Sequence, residues 1–320
     1  MSLSHSFPIL LPDVQIGFYY KLRNIKDLYF HEALKNTLKE LKISEVDNEL
    51  NRLVSNESLQ KLASFSLRGE ALFALPIMLQ TNPFLLGYYR LLLGFSQKEF
   101  YSKGPFGIFK MMEEKGIITV KARSGINDLA SSLIASADYL VEKMNHIDLA
   151  QLYELQLLTV GPQLRGSKNN EYGQIATKKV FNLLKELVKK TITNSTSTII
   201  EIKNDAGRFV RIEFSADPDI AISEKLKMGE RPLISIEIKG GKDLSNIHNR
   251  IGEAEKSHQK AKNRGYLEFL TILSVETNYQ KLKEESPTTN HFFRLDQILD
   301  FNTEEHHQFK DIITSALSIR

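Results

Sequence analysis

The sequence predicts an α/β protein, with a helix-rich N-terminal region followed by a core in which helices flank a mixed central β-sheet. Three observations carry this. Through much of residues 14–145 the apolar residues recur three or four positions apart, as a helix with one buried face requires. Beyond residue 196 the text changes to short runs rich in Ile, Val and Phe, which suit a pleated, half-buried surface. One pair of these runs is joined by a tight-turn signal, so part of the sheet is antiparallel and the whole is mixed.

The elements follow in order. NIKDLYFHEALKNTLKEL (24–41) reads as one amphipathic helix. Helical text continues in NESLQKLASFSLRGEALFALPIMLQ and FLLGYYRLLLGF, separated by Thr81-Asn82-Pro83, and then in INDLASSLIASADYLVEKM. GPQLRGSKNNEYG (161–173), with its glycines and proline, is expected to be a loop leading into the helix ATKKVFNLLKELVKK (176–190). The polar run TITNSTS is read as a connection. STIIEIKNDAGRFVRIEF then reads as two strands about the turn Asp205-Ala206-Gly207. IAIS, a polar connection through Met228-Gly229-Glu230, and LISIEI add two more strands. NIHNRIGEAEKSHQKAKNRG is a helix ended by Gly265, and YLEFLTILSV is a further strand. With no repeat and no long linker, the division falls near residue 150, giving a mainly helical region over 1–150 and an α/β core over 151–320.

Composition narrows the chemistry. The 320 residues, 42% hydrophobic and 25% charged, can bury a large core. Cysteine is absent, which excludes disulfides, thiolate metal sites and a cysteine nucleophile, leaving oxygen or imidazole to hold any metal. A reducing, cytoplasmic location fits. MSLSHSFPILLPDV lacks the basic flank and long apolar stretch of a leader, and the longest apolar run, ALFALPIML, is far below the ~20 residues that span a bilayer, so no membrane association is expected. The net charge of +3 permits a polyanionic partner without requiring one.

The stretch from Ala216 to Gly241 concentrates the chemistry. In a strand, residues two apart face one side, so Glu237 and Lys239 project together while Ile236 and Ile238 face the other way. Asp219 opens the preceding strand, and the chain between it and Glu237 suffices for one strand, a turn and the return. Adjacent strands lie ~4.8 Å apart, so the two acids can stand side by side. Two carboxylates that close repel unless a proton or a cation lies between them, and an all-oxygen pair suits Mg²⁺ or Mn²⁺. Lys239 would then orient an attacking water and offset charge on a scissile phosphate, the requirements of phosphodiester hydrolysis. Asp217, two residues before Asp219, competes with it; nearness to the strand favours Asp219 as ligand, with Asp217 supporting. Glu201-Ile202-Lys203 repeats the same letters without an acid ahead of it and reads as a solvated hairpin edge. Only the second copy is followed by Gly240-Gly241, where backbone or substrate can approach closely.

Asp219, Glu237 and Lys239 together match the PD-(D/E)xK nuclease pattern. DPDIAI, IEIKGGKDLSNIHNRIGEAEKSHQKAK, NPFLLGYYRLLLGFSQKEFY, LLTVGPQLRG and EESPTTNHFFR resemble the XcyI family of type II restriction endonucleases, over nearly the whole chain. The resemblance implies a restriction-endonuclease-like core and a Mg²⁺-dependent enzyme, with Mn²⁺ as substitute, that cuts both strands of a palindromic DNA site to leave 5′-phosphate and 3′-hydroxyl ends. It implies CCCGGG as the site, a companion methyltransferase, and, because a palindrome is read with two-fold symmetry, a homodimer.

Further candidates carry competing bland readings. Arg165, Lys168, Asn169 and Asn170 in the expected loop, and Asn246, Asn249 and Arg250 on the following helix, are candidate DNA contacts, against ordinary solvated surface. Glu171 is a candidate extra carboxylate, against stabilisation of a helix start. His248, His258, His306 and His307 receive no role, and Tyr88-Tyr89-Arg90 reads as core. The rival functions are a structure-specific repair or recombination nuclease with the same core, and a non-catalytic DNA-binding module.

Overall fold

The structure, a computed structural model, describes residues 12–102, 104–241 and 246–320. Most of the N-terminal stretch read for a leader lies outside the described residues. Two compact units divide the chain, one ending at Gly166 and one covering Ser167–Arg320.

The first unit is helical: α1 (Asp13–Tyr29), α2 (His31–Lys39), α3 (Ile43–Leu53), α4 (Asn56–Ser64), α5 (Pro76–Thr81), α6 (Leu85–Leu92), α7 (Gln97–Ser102), α8 (Lys110–Lys115), α9 (Val120–Lys143) and the start of α10 (Leu149–Leu187). The single helix expected over 24–41 is two, because Phe30 turns extended and buries its ring against Tyr153, 5.4 Å between centroids. The helical text of 56–80 is broken as well. Ser66 takes a positive φ, Gly69 packs so closely that a Cβ would lie 2.6 Å from Leu50, and Pro76 restarts the helix. Tyr88, Tyr89 and Arg90 are core, as read from their apolar helix. Arg90 pairs with Glu113 at 2.7 Å, and Tyr101 and Gln97 also donate to that carboxylate, so the buried charges are paired and hydrogen-bonded as burial demands.

The second unit is a seven-stranded mixed sheet among the described residues, in the sequential order β1 (Ile192–Ser195), β2 (Ile199–Lys203), β3 (Phe209–Phe214), β4 (Ile220–Leu226), β5 (Gly229–Lys239), β6 (Glu268–Leu273) and β7 (His291–Arg294). Pairing is antiparallel from β1 to β5 and parallel from β5 to β7. The parallel steps need crossovers, which α11 (Ile247–Asn263) and α12 (Tyr279–Glu285) supply before α13 (Leu295–Leu299) and α14 (Glu304–Leu317) close the chain. Strand alternation sends Ile234, Ile236 and Ile238 into an apolar core shared with Val180, Leu184, Ile313 and Leu317 of α10 and α14. Ser235 and Glu237 face the other side, where α11 packs.

Several local expectations change here. GPQLRGSKNNEYG is not a loop but the interior of α10, Pro162 included. Helix propagation is cooperative, so long periodic segments on both sides carry a Gly-Pro step whose local cost is ~3 kcal/mol. The polar run at 191–197 contributes strand β1. Glu201 therefore does not sit on an edge strand, since β1 covers β2, and its carboxylate is tied to Lys225 at 2.5 Å and Arg211 at 3.4 Å. Of Met228-Gly229-Glu230 only Met228 lies, with Lys227, at the tip of a hairpin between longer strands; Gly229, at φ 126°, and Glu230 already belong to β5.

Candidate active site

The β4–β5 hairpin brings the acids together. Ile220 pairs with Ile236, so Asp219, one step before, stands opposite Glu237. Past Ile220 the ladder ends, and the Asp219 side chain takes over its role by accepting the N–H of Ile238 at 2.7 Å. Lys239 reaches back along its own strand face to donate to Glu237 Oε2 at 2.8 Å. The other Glu237 oxygen, Oε1, accepts from Ser257 of α11 at 2.5 Å. Asp219, Glu237 and Lys239 thus converge, as their spacing in sequence predicts.

Electrostatics follow from this crowding. Burial first and the Glu237 charge second push the Asp219 carboxyl up to about 6. Burial pulls the Lys239 ammonium down, but Glu237 and Asp219 outweigh it and leave the group raised above its ordinary value. A carboxylate pair that resists full ionisation in the absence of a cation is a place where a divalent ion fits. Asp219 and Glu237 are the side chains that could hold it. No cluster of three Asp, Glu or His with metal-binding geometry occurs among the described residues, so such an ion would complete its shell with water, the habit of Mg²⁺.

The site opens into a cleft of about 670 Å³ lined by Asn169, Asn170, Gly173, Gln174, Thr177 and Lys178 of α10, by Asp219 and Lys239, and by Arg250 and Glu253 of α11, among others. The two glycines make this assembly possible. A Cβ on Gly240 would fall 2.6 Å from Ala176 Cβ and from the Tyr172 carbonyl, so the strand end can lie on α10 only without a side chain. Gly241 is equally bare against the Arg250 guanidinium, whose Nη1 is buried without a hydrogen-bond partner among the described residues.

The remaining sequence candidates scatter. Asn169, Asn170 and Arg250 line the cleft. Lys168 pairs with Glu171 at 3.2 Å within α10, which places Glu171 on a helix interior rather than at a helix start. Arg165 belongs to the first unit and lies 5.9 Å over the Phe18 ring. Asn246 and Asn249 are exposed at the start of α11 and are not among the residues lining the cleft. Asp217 is held by Lys260 at 3.0 Å, by Arg264 at 3.5 Å and by Ser257. Burial pushes its carboxyl up, but these bonds and charges outweigh burial and hold it below the ordinary range. Ser257, Lys260 and Arg264 were not foreseen. Their signal is helical: Arg250, Glu253, Ser257, Lys260 and Arg264 are spaced three and four apart and share one face of α11.

Behind Glu237 runs a buried polar chain. Ser286 donates to Glu255 at 2.8 Å, and Glu255 stays ionised because bonds from Thr288, Ser286 and Gln259 outweigh its burial. Having spent its one proton there, Ser286 must accept from Thr289 at 2.7 Å, and Thr289 from Thr271 at 3.1 Å. Thr271 then accepts from His258 Nε2–H at 3.0 Å, and His258 Nδ1 accepts from Ser235 at 3.2 Å. The carboxylate thereby sets the direction of every bond and the tautomer of a fully buried, neutral histidine. Its effect is to fasten α11 to β5 and β6 beneath Glu237.

Comparison with known proteins places this arrangement. The XcyI restriction endonuclease family matches residues 19–320. Type II restriction enzyme Cfr9I of Citrobacter freundii is 42% identical over 315 residues, covering 96% of this chain and 94% of that protein. Type II restriction enzyme XcyI of Xanthomonas campestris pv. cyanopsidis is 41% identical over 315 residues, covering 96% of this chain and 95% of that protein. Because the match runs through both units and takes in every residue of the cleft, the chain belongs to the XcyI restriction endonuclease family.

Proposed function

We propose that this protein is a type II restriction endonuclease that cuts both strands of CCCGGG, leaving 5′-phosphate and 3′-hydroxyl ends. Family membership supports a DNA-cutting hydrolase, and both relatives above are named type II restriction enzymes. The observation that carries the residue assignment is the convergence of Asp219, Glu237 and Lys239, with Asp219 and Lys239 lining the cleft and Glu237 buried directly behind Lys239.

In this reading Asp219 and Glu237 hold Mg²⁺, with Mn²⁺ as substitute; when bound, the ion supplies charge stabilisation and lowers the pKa of a water. Lys239, fixed by Glu237, orients the attacking water and offsets charge on the phosphate. Arg250 brings to the same cleft a donor with no partner among the described residues, and Asn169, Asn170 and Lys178 offer amides and a cation toward bases or phosphates. A palindromic site calls for a homodimer, and a host carrying CCCGGG needs a companion methyltransferase, which places the enzyme with DNA in the cytoplasm. Among the described residues no helix is long and apolar enough to cross a membrane.

Digestion of unmodified DNA with Mg²⁺ and sequencing of the fragment ends tests this. Discrete fragments ending within CCCGGG are expected, with cleavage by K239M reduced about 10²- to 10³-fold and DNA retention kept. Cutting confined to nicks, flaps or junctions would show a repair nuclease instead, and retention on DNA without any metal-dependent product would show a binding module.

A further inference from the structure

We propose that Ser257 is a positioning residue of the metal site: its hydroxyl orients the Oε1 edge of Glu237 and is itself oriented by Asp217. The proposal rests on the reading of Asp219 and Glu237 as the carboxylates that hold the cation.

Glu237 is only 4% exposed and is gripped from both sides, by Lys239 on Oε2 at 2.8 Å and by Ser257 on Oε1 at 2.5 Å. Lys239 comes from the same strand two residues on, so by itself it leaves the carboxylate free to swivel about its own stem. Ser257 comes from a different element, α11, and fixes the second oxygen. Ser257 is 8% exposed, and the other neighbour of its hydroxyl is Asp217 Oδ1. Two ionised carboxylates cannot donate, and the hydroxyl carries one proton, so it serves one of the two oxygens at a time.

Charge decides which. Asp217 already receives Lys260 at 3.0 Å and Arg264 at 3.5 Å, whereas among the described residues Glu237 receives Lys239 alone. Glu237 is therefore the needier acceptor, and the hydroxyl proton lies toward its Oε1. Asp217, fixed by Lys260 and Arg264, stands on the far side of the hydroxyl and keeps it in place. Glu237 is thus offered in a fixed orientation, and each of its oxygens keeps a further lone pair with which it could hold a cation. Hydrogen bonds of this supporting kind are worth about 10- to 100-fold in metal affinity.

The test compares S257A, S257T and S257V with the full-length wild-type protein. Mn²⁺ alone is titrated against each protein with free Mn²⁺ followed by electron paramagnetic resonance, and the Mg²⁺ concentration giving half-maximal DNA cleavage is measured in parallel. We expect S257A to weaken Mn²⁺ binding and to raise the half-maximal Mg²⁺ concentration by about 10- to 100-fold, with S257T restoring most of the loss. S257T and S257V differ by a hydroxyl against a methyl on the same branched frame, so their comparison decides the matter if S257A unfolds. Equal metal dependence in S257T and S257V, or a folded S257A with wild-type metal dependence, overturns the role of Ser257. D219N and E237Q are titrated alongside. If they bind Mn²⁺ as wild type does, the metal-site reading fails instead; if they lose it while the Ser257 variants do not, only the present proposal falls.

Discussion

Asp219→Asn should make the metal-free protein more stable at pH 8 while abolishing cleavage. Burial, then the Glu237 charge, raises the Asp219 carboxyl from 3.8 to about 6. At 1.36 kcal/mol per unit, keeping this group ionised in the fold costs about 3 kcal/mol above pH 6. The folded protein binds this proton more tightly than the unfolded chain does. Its stabilising contribution is therefore complete below about pH 4 and is lost as pH rises through the folded value. An asparagine is neutral throughout, and its carbonyl can accept the Ile238 N–H as the carboxylate does at 2.7 Å. The expected gain is thus up to about 3 kcal/mol at pH 8 and about half that at pH 5. Urea denaturation of both proteins in EDTA at the two pH values reads it directly. An asparagine variant no more stable than wild type at pH 8, or a gain independent of pH, would refute the argument that Asp219 is held in a crowded, poorly solvated acid pair.

Glu113→Gln should cost about 3–5 kcal/mol, because it strips the partner from Arg90, itself 2% exposed; a shift below about 1 kcal/mol in urea denaturation would contradict that. Gly240→Ala should cost about 1–3 kcal/mol and slow cleavage, since the new Cβ meets the α10 backbone and must displace the strand end beside Lys239; wild-type stability and rate together would count against this packing. His258 should appear by nitrogen-edited NMR as the neutral Nε2–H tautomer and remain neutral at pH 5, because burial lowers it to about 4. As the unfolded ring takes up a proton near pH 6.5, this contribution to stability is complete above that value and lost as pH falls through 4. A ring titrating near 6.5 in the folded protein would rule out the directed chain from Ser235 to Glu255.

The mixed sheet and the meeting of Asp219, Glu237 and Lys239 were legible in the chain because both depend on short-range rules. Strand alternation fixes which side Glu237 and Lys239 share, and a hairpin of set length returns the chain beside Asp219. Gly240 and Gly241 were equally readable as points of close approach, although not what approaches them, which proves to be α10 and Arg250. Breaks and continuations were harder. The turn at Phe30 is made by burial against Tyr153, more than a hundred residues away, and the helix through Gly161-Pro162 persists because its flanks do.

What the sequence determined alone is therefore the local geometry of the acid–acid–lysine group and the family to which its longer stretches correspond. Only the tertiary structure decided which face of α11 meets Glu237, and so brought Ser257, Lys260 and Arg264 to the acids and left Asn246 and Asn249 exposed. The physical reason is that a helix offers several polar faces of similar composition. The choice among them is made by the register of α11 against β5 and β6, which the buried chain through His258 and Thr271 sets.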